Sequence, residues 1–289
     1  MASLQAIKRR IKSVQNTRQI TKAMEMVAAS KMRRAQEATI RSRMYAQRIA
    51  EINERLAGKV DTNKNPLFAV RPVANRLFIV FTSDQGLAGA YNANLTKELL
   101  NQIEAEQEVG RTPRLIVIGR KGAQFVARLE NVELIGVYEN WPANPTTADI
   151  MPILSQAKTG FIEAKYDEVV VLYTEFYSMI KQVVQTSKLL PLAQAVVTED
   201  VAQQDNGAFE PNPQAVLDAI VPRLIEARLM QSAYEASASE QSMRMMAMKN
   251  ASDNASDLID DFTLAYNGAR QAGITQELAE ISAGAAAVN

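Results

Sequence analysis

Residues 214–267, QAVLDAIVPRLIEARLMQSAYEASASEQSMRMMAMKNASDNASDLIDDFTLAYN, contain no glycine and a single proline, Pro222. Alternate steps of three and four from Leu217 land on Leu217, Ile220, Leu224, Ala227, Gln231, Tyr234, Ala238, Gln241, Met245, Met248, Ser252, Ala255, Ile259, Phe262, Tyr266 and Ala269. Thirteen of these sixteen are apolar or aromatic, a sustained heptad seam rather than the broader stripe of a short core helix. At about 1.5 Å per residue such a helix runs roughly 80 Å. Propensity alone does not hold a helix of that size in one place, so it needs a partner.

The partner lies at the other end of the chain. Residues 4–57 also lack glycine and proline, and the same stepping from Leu4 gives Ile7, Ile11, Val14, Arg18, Thr21, Glu25, Ala28, Met32, Ala35, Thr39, Ser42, Ala46, Ile49, Asn53 and Leu56. This stripe is apolar at both ends and polar in the middle. The pair predicts an intramolecular antiparallel coiled coil with a separate domain between its arms. Small seam residues allow the helices to approach closely, and methionines such as Met32, Met245 and Met248 fill irregular gaps.

The net charge of zero conceals a segregation along the 289 residues. Residues 1–60 carry fourteen Lys or Arg against four Asp or Glu, giving +10, and residues 199–289 carry five against fourteen, giving −9. A basic helix antiparallel to an acidic one gains pairing along the flanks of the seam and disfavours self-pairing of either. Most of this charge is read as a solvated or neutralised face, since exposed pairs are individually weak.

Between the helices the period changes. Residues 76–83 (RLFIVFTS), 114–119 (RLIVIG), 132–138 (VELIGVY) and 168–174 (EVVVLYT) are short apolar runs rich in β-branched residues, each the signature of a buried strand. Helical stretches near 92–107, 120–130 and 147–165 separate them, and that alternation predicts a largely parallel sheet covered by helices. A fifth strand at about 181–190 follows the fourth so closely that it is expected antiparallel at an edge. The expected architecture is therefore α/β with long helices: an antiparallel coiled coil of the N- and C-terminal helices plus a central Rossmann-like α/β domain. The limits are 1–60 for the first helix, 61–212 for the central domain with its linkers (Gly58–Pro72 and Thr198–Pro213), and 213–289 for the returning helix. Asn212 and Pro213 are expected as its cap and first residue.

Several chemistries are disfavoured. The chain has no cysteine and no histidine, so disulfides, thiolate metal sites and the commonest general base are all missing. No run of eighteen apolar residues exists, and MASLQAIKRRIK at the start lacks the apolar core of a signal peptide. Residues 83–92, SDQGLAGAYN, follow a strand and open a helix as a phosphate loop would. Their Gly-x-x-Gly spacing, with no Lys-Ser or Lys-Thr after it, is a weak match. Asp84 reads as a turn and capping residue rather than a catalytic carboxylate.

The stretch ITKAMEMVAASKMRRA (20–35), the loop SDQGLAGAYN, and the tail containing SEQSMRMMAMKNASDNASDLI, YNGARQA and ITQELAEISAGAAA together resemble the gamma subunit family of F-type ATP synthases. Within the tail, Ile274, Thr275, Glu277, Glu280, Gly284, Ala285 and Ala287 carry the resemblance. Ala88 departs from it, since many members have cysteine there, and the cysteine-bearing regulatory segment of chloroplast members is missing. The resemblance implies a rotor shaft: the helix pair enters the bore of a hexamer of alternating α and β subunits, and the α/β domain meets the epsilon subunit and the ring of c subunits. It implies catalysis on the β subunits, no cofactor on this chain, membrane contact only through partners, and a place at the cytoplasmic face of a bacterial plasma membrane. Partner contacts are implied at Lys22, Met24, Arg244, Arg270, Gln271, Thr275 and Glu277.

Two other classes stand beside this one. A coiled-coil adaptor or nucleic-acid binder would use the basic first helix, although Tyr45 is the only aromatic residue among the first sixty. A small-molecule enzyme would use the central domain, against which stand the missing histidine and cysteine and the weak glycine loop.

Overall fold

The computed structural model describes residues 2–56, 60–193 and 209–288, so most of the expected exit linker lies outside the described residues. Helix α1 spans Ala2–Leu56 and helix α5 spans Pro213–Val288. Between them run β1 (Arg76–Phe81), α2 (Tyr91–Glu108), β2 (Arg114–Ile118), α3 (Arg120–Val126), β3 (Glu133–Tyr138), α4 (Thr147–Ile162), β4 (Glu168–Phe176) and β5 (Gln182–Leu190). The Asn212 side chain accepts the Ala215 N–H at 2.9 Å, so α5 starts on the expected Asn cap with Pro213 at its first position. The chain forms two compact units, Met1–Ala28 with Arg244–Asn289, and Ala29–Met243.

In the larger unit the strands lie in the order β3-β2-β1-β4-β5. The first four are parallel, and β5 pairs antiparallel with β4 at the edge. Strand alternation sorts the side chains. Leu77, Ile79, Phe81, Val169 and Val171 pack with Ile153, Ala157 and Phe161 of α4, Leu217, Val221 and Leu224 of α5, and Ile49 and Leu56 of α1. Phe78, Val80, Leu115, Val117 and Leu172 face the other way, onto Leu95, Leu99 and Ile103 of α2. Both faces are covered, which is why the strands read as unbroken apolar runs. At the amino ends of the strands Arg76 bridges Glu106 and Glu168, Arg111 also reaches Glu106 at 3.4 Å, and Lys188 reaches Glu168. At the carboxyl ends Gly119 enters α3 with φ +94°, and a Cβ there would stand 2.3 Å from the Thr82 carbonyl oxygen. No other residue fits that turn.

Helices α1 and α5 run antiparallel within this unit. Ala35 and Ala238 share one apolar cluster with Phe176, Arg43 pairs with Glu235 at 3.0 Å, and Ile49 and Leu56 join the cluster of Leu217 and Val221. The heptad stripe of α5 widens here. Ile225, Leu229, Ser232, Ala233, Glu235, Ala236, Ser237 and Ser239 lie off the predicted seam yet are buried, because α5 touches the sheet as well as α1.

The smaller unit keeps the seam narrow. On α5, Met248, Ser252 and Ala255 are buried and Met245, Ile259, Phe262, Tyr266 and Ala269 half-buried, while most positions between them are exposed. On α1, Leu4, Ile7, Ile11, Val14, Thr21, Glu25 and Ala28 are protected in the same rhythm. Arg18 is the exception: it falls on the seam by count but is exposed, since the cost of desolvating a guanidinium exceeds what its stem gains by burial.

Candidate functional site

The carboxyl ends of β1 and β4 mark the point where the strand order reverses, the place where open α/β sheets bind ligands. Here that crevice is occupied by the chain itself. Ser239 of α5 donates to the Thr174 carbonyl at 3.0 Å, Ser237 to Ala143 O at 2.7 Å and Tyr234 to Pro145 O at 3.0 Å. The Asp84 carboxylate accepts the backbone N–H groups of Arg120 at 3.0 Å, Asn140 at 3.0 Å and Trp141 at 2.6 Å. An anion at the first turn of α3 is therefore already present, supplied by Asp84. In the glycine loop the Ser83 N–H and hydroxyl are tied to Asn92 at 3.1 and 2.7 Å, and the Ser83 hydroxyl donates to Gln85 O at 2.7 Å. These bonds are those of a structural turn and a plugged crevice.

An open cleft of about 350 Å³ lies between α1, α4 and α5, with Arg41, Tyr45, Thr147, Glu226 and Tyr234 in its lining. Three of its polar groups are already engaged within the chain. Glu226 accepts from Thr147 at 3.0 Å and from Arg223 at 3.2 Å, and the Tyr234 hydroxyl is spent on Pro145. Among the described residues no group of His, Cys, Asp or Glu could hold a metal ion, and no helix is long and apolar enough to cross a membrane.

All seven residues expected to meet partners fall in the smaller unit, in two stretches. Lys22 is exposed, its ammonium 3.0 Å from the Glu25 carboxylate, and Met24 is half-buried beside it. Arg244, on α5, is only 6% exposed. Arg270, Gln271, Thr275 and Glu277 lie beyond it on the same helix, about 39 Å further along from Arg244 to Arg270. All four are exposed, and the Thr275 hydroxyl donates to Gln271 O at 3.0 Å. An exposed guanidinium beside an amide can take a carboxylate in a forked pair of bonds.

Sequence reasoning missed a second kind of surface on this unit. Ile20 (61% exposed), Met26 (60%), Val27 (55%) and Leu264 (76%) point away from the seam. Ile274, Leu278 and Ile281, spaced four and three apart, are also exposed, and that spacing puts them on one helix face. A heptad search hides such residues because it scores only the stripe that pairs the two helices. Outward apolar side chains on the paired stretch, Ile20, Met26, Val27 and Leu264, mark a surface that meets something else, and the face of Ile274, Leu278 and Ile281 continues beyond the protected seam of α5.

The model of a protein family described as ATP synthase matches residues 3–288. The ATP synthase gamma chain of Moorella thermoacetica is 42% identical over 288 residues, covering 100% of both chains. That of Roseiflexus castenholzii is 42% identical over 290 residues, covering 100% of this chain and 99% of the relative. Among solved structures, a chain of the central stalk and c ring of Tetrahymena thermophila mitochondrial ATP synthase superposes with a TM-score of 0.60 at 27% identity, over 81% of this chain and 99% of that one. A chain of Euglena gracilis mitochondrial ATP synthase in rotational state 3 gives 0.71 at 18% identity, over 99% and 95%, a likeness of fold.

Proposed function

The chain belongs to the ATP synthase gamma chain family and has the role of a central-stalk subunit, and on that premise we propose that it acts without catalysing anything itself. In this reading ion flow through a ring of c subunits turns the chain inside a hexamer of α and β subunits, and ATP is made or hydrolysed on β. The larger unit meets the epsilon subunit and the c ring at the cytoplasmic face of a bacterial plasma membrane, and the smaller unit works within the hexamer. Lys22, Met24, Arg244, Arg270, Gln271, Thr275 and Glu277 are the proposed contacts.

The observation that carries this reading is the outward apolar surface of a helix pair whose seam is already filled. A rod that only linked two domains would gain by replacing Ile20, Met26, Val27 and Leu264 with charge. One that turns inside a partner gains by keeping them, because soft apolar contacts re-form at each angle with few directional bonds to break. Such a shaft drives β subunits of identical sequence into different states only through contacts that differ between those states.

The test is reconstitution. Purified with α and β subunits, the chain should co-elute with three copies of each, and ATP should turn a probe fixed to the larger unit. Alone it should show neither ATPase activity nor submicromolar nucleotide affinity, since α5 fills the crevice at the switch point. Tight nucleotide binding by the free chain, or failure to join the hexamer, would overturn the reading.

A further inference from the structure

Hydroxyl side chains inside a helix have a ready acceptor in the carbonyl three or four residues back. Among the described residues of α1 and α5, seven use it: Thr17, Thr21, Thr39, Ser232, Ser256, Thr263 and Thr275. Three successive serines of α5 reach away from the helix instead, joined by the phenol of Tyr234, which is too long to bond its own backbone. Tyr234 donates to Pro145 O at 3.0 Å, Ser237 to Ala143 O at 2.7 Å, Ser239 to Thr174 O at 3.0 Å and Ser242 to Met179 O at 3.2 Å. Two more bonds complete the set: Gln182 donates to the Ser242 hydroxyl at 3.2 Å, and Arg43 of α1 donates to Phe176 O at 3.2 Å. The acceptor carbonyls belong to the loop after β3, the end of β4 and the β4–β5 turn.

The arrangement around the helix matters more than the number of bonds. At 3.6 residues per turn, positions 234, 237, 239 and 242 spread over about 200° of the circumference of α5. Turning the helix about its axis, or sliding it, breaks some of these bonds whichever way it moves. Ser237, Ser239 and Ser242 are buried, so water is not at hand to replace a bond that yields.

We infer that this row is a torque joint, holding α5 in azimuth against the central α/β domain so that a turning moment passes between them without slip. The inference rests on the reading of the chain as a rotor. Ser237, Ser239 and Ser242 are positioning residues here: they touch no nucleotide and act through the helix they hold.

The experiment uses the assembled complex, with the hexamer immobilised and a probe on the central α/β domain. Ser237→Ala, Ser239→Ala and Ser242→Ala together remove four of the six bonds. With the rotor stalled, the angular variance of the probe should rise about two- to threefold, as for a joint that has lost most of its directional links. Synthesis driven by an ion gradient should fall by a larger fraction than unloaded ATP hydrolysis. Ser239→Thr, which keeps a hydroxyl, should leave both readouts near wild type. A triple variant with a lower Tm but unchanged angular variance and coupling would overturn the joint and leave only a stabilising role. If the triple variant does not assemble, Tyr234→Phe with Ser242→Ala takes its place under the same criteria. A wild-type complex whose probe does not turn on ATP overturns the rotor reading and the joint with it.

Discussion

Two buried glutamates show how one residue type takes opposite roles in this chain. Burial alone would raise the Glu168 carboxyl, but Lys188 and Arg76 overcome it and hold the group below the usual carboxylate range. A folded-state value below the unfolded one favours the folded protein above the ordinary glutamate value, and that contribution is lost as pH falls through the folded value. Glu168→Gln should therefore cost about 1–3 kcal/mol at neutral pH and flatten the acid side of the stability curve. Glu235 is shifted the other way. Burial raises it, and the bonds from Gln231 and Arg43 only partly oppose this, with Glu175 adding repulsion. A raised value favours the folded state at low pH and is lost as pH rises through it, so Glu235→Gln should leave neutral-pH stability unchanged or higher. Denaturant titrations of the two variants across acid and neutral pH check both signs. Equal losses at neutral pH would show that the Arg43 pair outweighs the desolvation of Glu235.

At the scale of elements, the helix pair of the smaller unit depends on residues small enough to let backbones approach. Ala28 is 1% exposed on the seam of α1, and Ala28→Leu should destabilise the pair by about 1–3 kcal/mol through overpacking. Circular dichroism melting of the free chain should show the loss, whereas Ala23→Leu, at an exposed position of the same helix, should not. The heptad made these positions legible from residue types alone, as did the β-branched runs of β1, β2 and β4, because each pattern is written by local geometry. Features that depend on two elements at once were not legible. The all-round burial of α5 near Ala233 requires the sheet to lie against it, and the outward hydroxyls of Ser237, Ser239 and Ser242 look in sequence like the inward ones of Ser232 and Ser256. Four serines within the eleven residues 232–242 were the one available signal. Arg18 was misplaced because counting by sevens ignores the cost of hiding a charge.

For the whole molecule the question is how a shaft biases partners that share one sequence. On the proposed reading, Arg270 and Gln271 bond one β conformer and not the others. Each charge-assisted bond contributes about 1.5–3 kcal/mol, so Arg270→Ala with Gln271→Leu should slow steady-state turnover of the assembled complex. Because both side chains are exposed in the free chain, its Tm should not move. Wild-type turnover by a normally assembled double variant would count against these contacts. Met24 tests the same idea by adding a bond instead of removing one. It is half-buried beside the Lys22–Glu25 pair, and Met24→Lys brings a second ammonium to a surface that, on the proposed reading, passes β, so that a carboxylate met there would pair with it. An ion pair across an interface is worth about 2 kcal/mol or more when its partners are close, and it must be broken at every passage through one rotary angle. Hydrolysis can spend its free energy on breaking it, while ion transport loses the share that no longer reaches the ring. Coupling should therefore fall more than hydrolysis, as read by comparing proton or sodium uptake with phosphate release in vesicles. If Met24 serves only to pack the helix pair, the substitution will instead lower the Tm of the free chain and reduce both rates together.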